Sequence, residues 1–184
     1  MRKVVFAINM TADGYCSHTS ANPDEELLQY FSNLLRNADV ILFGRTTYEL
    51  MVPYWPEIAR TQSDTPANNE FARVFDSLAL VVFSRTLKEV AGNKTRIVRS
   101  DLVQEATALK QQPGKDIAVG SLSIASQLSE QGLIDEYRFV IHPVLAGNGP
   151  RMFESVQLKE KLSLALADTK VFPSGVVALH YRKQ

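Results

Sequence analysis

A single cysteine, Cys16, in 184 residues excludes an intrachain disulfide and any zinc site built on paired cysteines, and no other metal site is expected. Neither sign of charge is in excess, because 20 Lys and Arg balance 20 Asp and Glu. Duplex binding needs a basic surface that displaces counterions, so nucleic acid is not an expected partner. No apolar run approaches the length of a membrane span. The apolar start at Val4 to Ala7 is too short for a signal-peptide core, which makes the cytoplasm the expected location. The glycine fingerprint G-x-G-x-x-G is missing, and a Rossmann domain is disfavoured accordingly. Internal repeats, low-complexity tracts and linkers are missing too, so residues 1–184 read as one domain.

What is present is an alternation of short β-branched runs with helical patterns. Val4 to Ile8, Asp39 to Phe43, Leu78 to Phe83 and Asp116 to Val119 read as buried strands, with Thr95 to Val98 a weaker one. Asn22 as cap and Pro23 at the first helical position open a helix whose apolar face is Leu27, Leu28, Phe31, Leu34 and Leu35. Further helices are expected at Arg45 to Met51, Glu70 to Phe75, Leu102 to Lys110 and Leu122 to Glu130. Tyr54-Trp55, between Pro53 and Pro56, reads as a loop, and Thr61 to Asn69 as an exposed polar segment. A strand from Glu136 to Ile141 stops at His142-Pro143. Leu162 to Phe172 and Val176 to Arg182 form a closing hairpin around Pro173-Ser174-Gly175. The expected class is α/β: three layers, a mostly parallel central sheet with an antiparallel C-terminal hairpin, and helices on both faces.

In such a sheet, ligands gather at the carboxyl ends of the strands. Three strand ends there carry suitable chemistry. At Gly44-Arg45-Thr46-Thr47 a glycine turns the chain into a helix, whose free N–H groups and positive dipole end suit an anion; a plain capped helix with a surface arginine accounts for the same residues. Ser84-Arg85-Thr86 suits a phosphate monoester, or is an ordinary polar turn. At Gly120-Ser121-Leu122-Ser123 the serines either cap a helix or contact a pyrophosphate. Their shared placement is the stronger signal, because a dinucleotide lying across a sheet needs several such turns.

Gly44-Arg45-Thr46-Thr47-Tyr48-Glu49 resembles the G-R-x-T-[YW]-E motif of dihydrofolate reductases. Ala12-Asp13-Gly14, the block from Gly120 through Gly132-Leu133-Ile134-Asp135-Glu136 to His142-Pro143-Val144-Leu145, and Gly147, Gly149 and Phe153 resemble the reductase domain of riboflavin biosynthesis, the RibD C-terminal type. Tyr54-Trp55-Pro56 is similar to its small stand-alone relatives. The resemblance implies a dihydrofolate-reductase-like fold, NADPH across the strand ends, and hydride transfer to a small pyrimidine- or pteridine-like substrate. It implies that Gly44, Arg45, Thr46 and Thr47 hold the cofactor phosphates and that Ser84, Arg85 and Thr86 meet the 2′-phosphate. Gly120, Ser121, Leu122 and Ser123 would lie along the pyrophosphate and nicotinamide, with Ala7 behind the ring. A homodimer is implied as well.

Two departures bear on the substrate. Riboflavin-pathway domains carry Glu-Gly-Gly where Val119-Gly120-Ser121 stands, and the zinc deaminase half is absent. For the acid early in the first helix, Glu26 is the nearest match, with Asp24 and Glu25 as rivals that otherwise favour the helix N-terminus. Asp13 is the other candidate proton donor, or a turn former. Tyr48 and Trp55 are expected to wall the substrate cavity, or to be core aromatics. His18 and His180 read as surface residues and His142 as a packing residue, and Cys16 is assigned no redox role. The rival functions are a true ribosylaminouracil-phosphate reductase, a dihydrofolate reductase, and a non-catalytic nucleotide-binding or regulatory module on the same fold.

Overall fold

The chain builds β1 (Val4–Thr11), α1 (Glu25–Arg36), β2 (Ala38–Gly44), α2 (Arg45–Met51), α3 (Trp55–Thr61), α4 (Pro66–Ser77), β3 (Ala79–Phe83), β4 (Thr95–Val98), α5 (Leu102–Gln111), β5 (Asp116–Val119), α6 (Leu122–Glu130), β6 (Glu136–His142), β7 (Leu164–Val171) and β8 (Val177–Lys183). This is a computed structural model, and it describes residues 1–19, 23–154, 156 and 158–184. The strands form one sheet in the order β4-β3-β2-β5-β1-β6-β8-β7. All pairings from β4 to β6 are parallel; β8 runs antiparallel to both β6 and β7. The expected α/β class with an antiparallel hairpin is what the chain adopts.

Side-chain alternation along each strand assigns the layers. Val4 and Phe6, Val40 and Leu42, and Ile117 and Val119 point to the face covered by α5 and α6. Ile41, Phe43, Leu80, Val82 and Ala118 point to the opposite face, under α1 and α4. Beyond α1 that face continues as a smaller cluster in which Leu27 meets Val140, Phe172, Val176 and Ala178.

Several boundaries differ from those the sequence suggests. Helix α1 starts at Glu25, not at Pro23: the Asp24 carboxylate accepts from Leu27 N at 2.8 Å and caps it. Asn22, expected as that cap, lies outside the described residues. Trp55, expected in a loop, opens α3, with Pro56 in its first turn. Helix α4 starts four residues before Glu70, capped by Thr65, whose hydroxyl accepts from Asn68 N. Its polar first turn imitates a loop, yet Asn69 is spent on the backbone of Gln62 and Asp64. Burying Phe71, Val74 and Phe75 at about 1.5–3 kcal/mol each outweighs the weak propensity of that turn. Finally, β1 runs on to Thr11, because it pairs with β6 from Val5↔Glu136 to Thr11↔His142.

Candidate functional site

A parallel sheet opens where neighbouring strands send the chain to opposite faces. Here β1 leads to α1 and β2 leads on to α4, both on one face, while β5, between them, leads to α6 on the other. The crevice therefore lies at the carboxyl end of β5. That strand is also short: Phe6↔Val119 is its last pair with β1, and β1 continues alone with β6. A central strand is normally buried on both faces. Ala7, Ile8, Asn9 and Met10 are instead all half-buried, so β1 forms a wall of the crevice beside Gly120.

Two of the three phosphate-type turns meet in this crevice. Gly44 N donates to Ser121 Oγ at 2.9 Å, and Ser121 Oγ donates to Thr47 Oγ1 at 2.6 Å. Ser121 is thereby occupied and does not cap its own helix. Helices α2 and α6 both begin without a side-chain cap, whereas α1, α4 and α5 are capped by Asp24, Thr65 and Asp101. Helix α3 also lacks a side-chain cap, but a proline sits in its first turn. First-turn N–H groups of α2 and α6 are thus left for an external acceptor. A Cβ on Gly44 would come within 3.3 Å of Ser123 Oγ, so the two helix starts are in near contact.

The third turn is the neighbour of the first. Gly44 is level with Phe83 in the β2–β3 pairing, which puts Ser84 beside Arg45. The Ser84 hydroxyl accepts from Thr86 N and Leu87 N, so it shapes its own turn. Arg85 and Thr86 are exposed. Arg45 reaches Glu49 only at 3.4 Å, a weak surface pair, and remains exposed with Thr46. Leu122, half-buried as the first residue of α6, packs against the core on the α5 and α6 face of the sheet.

Other candidates occupy different roles. Tyr48 is buried in the core beneath α4, and its hydroxyl accepts from Ala91 N at 2.9 Å. Trp55 packs on Phe71 with ring centroids 4.5 Å apart. Both belong to the α4 core, the second of the two roles the sequence offered. The Glu26 carboxylate is exposed and paired with Lys170 of β7 at 2.9 Å, while the first-turn position of α1 that faces the sheet is apolar Leu27.

Asp13 accepts from Thr11 Oγ1 at 2.5 Å, Gly147 N at 2.8 Å and Ala146 N at 3.1 Å. The Thr11 hydroxyl and these amides hold its pKa down at about 2, so at neutral pH it is an acceptor and not a proton donor. It ties the loop after β1 to the loop after β6, helped by Ala12 N donating to Val144 O and by Arg151 stacked on Tyr15. Asp13→Ala is expected to speed hydrogen exchange of the Ala146 and Gly147 amides about tenfold or more, read by exchange-detected NMR. Unchanged protection would show that the clasp does not hold that loop. Cys16 is buried, which with Glu154 pushes its thiol up to about 11, in keeping with an unreactive cysteine.

Two side-chain pairs were not legible in the sequence. His142 Nε2 lies 3.0 Å from Asn9 Oδ1, joining adjacent strands on the α1 face of the crevice. His180, expected at the surface, is buried beside Glu136, its Nε2 2.9 Å from the Glu136 carboxylate. A cavity of about 170 Å³, lined in part by Tyr30, Asn33, Asp116, Glu136 and Arg138, lies at the amino ends of the strands, away from the crevice.

The architecture and the crevice at the β5 switch point define an open-sheet α/β protein with an antiparallel C-terminal hairpin. The RibD C-terminal domain family matches residues 2–178, and the chain belongs to that family. Uncharacterized protein YyaP of Bacillus subtilis (strain 168) is 30% identical, over 98% of this chain and 94% of its own length. A crystal structure from Shewanella sp. PV-4, provisionally described as a riboflavin biosynthesis protein, superposes with a TM-score of 0.75 at 22% identity, covering 100% of this chain and 99% of that one. A pyrimidine reductase-like protein of Corynebacterium diphtheriae superposes with a TM-score of 0.65 at 13% identity, covering 100% and 92%.

Proposed function

We propose that the protein is a reductase that binds NADPH across the carboxyl ends of β2, β3 and β5 and reduces a small heterocycle held under α1. The observation that carries this reading is the pair of uncapped helix starts joined by Ser121. Nitrogen donors of α2 and α6 converge with no side chain of their own to satisfy them, as a pyrophosphate requires. The residues present fit such a cofactor. Gly44 lets the starts of α2 and α6 come together at Ser123, Thr46 and Thr47 supply hydroxyls, and exposed Arg85 suits a 2′-phosphate. When bound, the cofactor supplies a hydride; the chain supplies position and electrostatics. Ala7, small and half-buried on the wall of β1, leaves room for a flat ring on the α1 side. With Asp13 ionised and Glu26 paired, the accompanying proton comes from water reaching the half-open crevice.

The same two carboxylates favour a second reading, a nucleotide-binding module without turnover, because neither is set up as an acid. The two separate on NADPH oxidation at 340 nm with a panel of pteridines, quinones and aldehydes. Oxidation with any of them supports the reductase; binding without oxidation supports the module; no NADPH binding overturns both. Arg85→Ala is expected to weaken NADPH about tenfold to a hundredfold, the value of a charge-assisted contact, and to leave NADH unchanged. Equal loss for both in a fluorescence titration would remove Arg85 from the 2′-phosphate.

A further inference from the structure

We infer that Asn9 is a specificity residue of this crevice: its side-chain amide, oriented by His142, donates to a carbonyl oxygen of the bound heterocycle. The inference rests on the α1 side of the crevice being the substrate side, as proposed above.

Alternation places Asn9 two residues beyond Ala7 on the same face of β1, and places His142 on the same face of β6. Their side chains meet across the strand pair, His142 Nε2 to Asn9 Oδ1 at 3.0 Å. His142 is buried at 4% exposure, whereas Asn9 is half-buried and lines the opening. Burial holds the imidazole below its ordinary pKa, with Asp24 opposing, so at neutral pH it is uncharged. A neutral ring facing an amide oxygen carries its hydrogen on Nε2. That donation uses the Asn9 oxygen and fixes the plane of the amide. The Asn9 Nδ2 group then has its hydrogens left over, and it donates to no protein group among the described residues.

A fixed amide nitrogen on a crevice wall is a donor without an acceptor, and a flat heterocycle carries acceptors on its edge. Carbonyl oxygens are the strongest neutral ones. A site built to donate discriminates against an analogue that cannot accept, because its own polar group is then left unpaired. His142 does not touch the ligand in this account. It is a positioning residue, and another side chain with an N–H at that place would serve.

The test uses the full chain and two bicyclic probes of similar size: lumazine, which carries two carbonyl groups, and quinoxaline, which carries none. Both are titrated calorimetrically against wild type, Asn9→Asp, Asn9→Ala, His142→Phe and His142→Gln, and NADPH is titrated separately. Asn9→Asp keeps the shape and can still accept from His142, but it loses the donors, so a folded variant is secured. Wild type is expected to prefer lumazine about tenfold. Asn9→Asp, Asn9→Ala and His142→Phe are expected to abolish the preference, His142→Gln to restore it, and NADPH affinity to stay constant throughout. No preference in wild type, no binding of lumazine, or a preference that survives Asn9→Asp overturns the inference. NADPH binding alongside any of these leaves the reductase reading in place. Loss of NADPH binding alongside an Asn9-dependent preference does the reverse.

Discussion

Gly120→Ala is expected to destabilise the protein by about 2–3 kcal/mol, roughly 5–10 °C in Tm, and to weaken NADPH binding at the same time. A Cβ at this position would lie 2.4 Å from Phe43 Cε1 and 3.1 Å from Phe43 Cδ1. The ring cannot swing aside, because Phe43 is 1% exposed and stacked on Phe75 with centroids 6.0 Å apart. Either the ring is forced off its rotamer into a filled core, or the backbone of Gly120 withdraws and lengthens its bond to Leu42 O. Both motions reach the crevice, since Phe43 is bonded to Gly44 and Gly120 to Ser121. At Gly44 the corresponding contact is Ser123 Oγ at 3.3 Å, the end of a side chain that can rotate. Gly44→Ala is therefore expected to cost much less stability. Thermal melts of both variants decide the matter: equal Tm values for Gly120→Ala and wild type would refute the packing argument.

Glu136→Ala is expected to cost about 3–4 kcal/mol, because it leaves the half-buried Arg138 guanidinium without its counter-charge and the buried His180 ring without its neighbouring carboxylate. The Glu136 carboxylate, almost wholly buried, has Lys3 Nζ at 2.8 Å, His180 Nε2 at 2.9 Å, Arg138 Nη2 at 3.3 Å and Arg182 Nε at 4.0 Å. Lys3 and Arg182 can turn to solvent, but the His180 side chain is only 10% exposed and that of Arg138 24%. Burial raises the carboxyl pKa, yet Lys3, His180 and Arg138 together bring it below 4.5. His180 lies below 6.5 because of burial and Arg138, against the pull of Glu136, and His142 lies below it because of burial.

The signs follow from proton binding. Below pH 6.5 the unfolded chain takes up protons that folded His142 and His180 refuse, so stability falls as pH drops through the histidine range. The Glu136 contribution is complete above pH 4.5 and is lost as pH falls through its lower folded value. Wild type should thus lose stability on acidification in two stages. Glu136→Ala should lose the Glu136 share of the carboxylate stage, keep the share of Asp13, and keep the histidine stage, since burial and Arg138 then act on His180 unopposed. Urea melts between pH 7 and pH 3 report both; a single stage in wild type, centred on the carboxylates, would contradict the assignment of the histidines.

Elements with a strong local signal were legible without coordinates. Leu27, Leu28, Phe31, Leu34 and Leu35 repeat at helical spacing, and α1 carries them on its buried side. The runs that follow Asp39 and Asp116, Val40 to Phe43 and Ile117 to Val119, are apolar because parallel strands are covered on both faces, and they are strands. Misreadings fell where polar residues do structural work. Asn68 and Asn69 look like loop residues, but they complete the start of α4. Glu26 stands in the first turn of α1 like a catalytic acid, yet the position facing the sheet is Leu27, one residue on and about 100° around the helix.

The chain's own sequence determined the alternating elements and the glycine turns after β2 and β5, since each depends on neighbours a few positions apart, and the neutral charge and the lack of paired cysteines, since these are counts that folding leaves unchanged. The tertiary structure alone decided that Ser121 joins Gly44 and Thr47 across 74 and more residues, that β1 outruns β5 and opens a wall, and that Asn9 meets His142 133 residues away. The physical reason is that parallel crossovers set strands side by side with no regard to their distance along the chain, and which side chains then face one another depends on register and on the face each connection takes, neither of which is written in any local pattern.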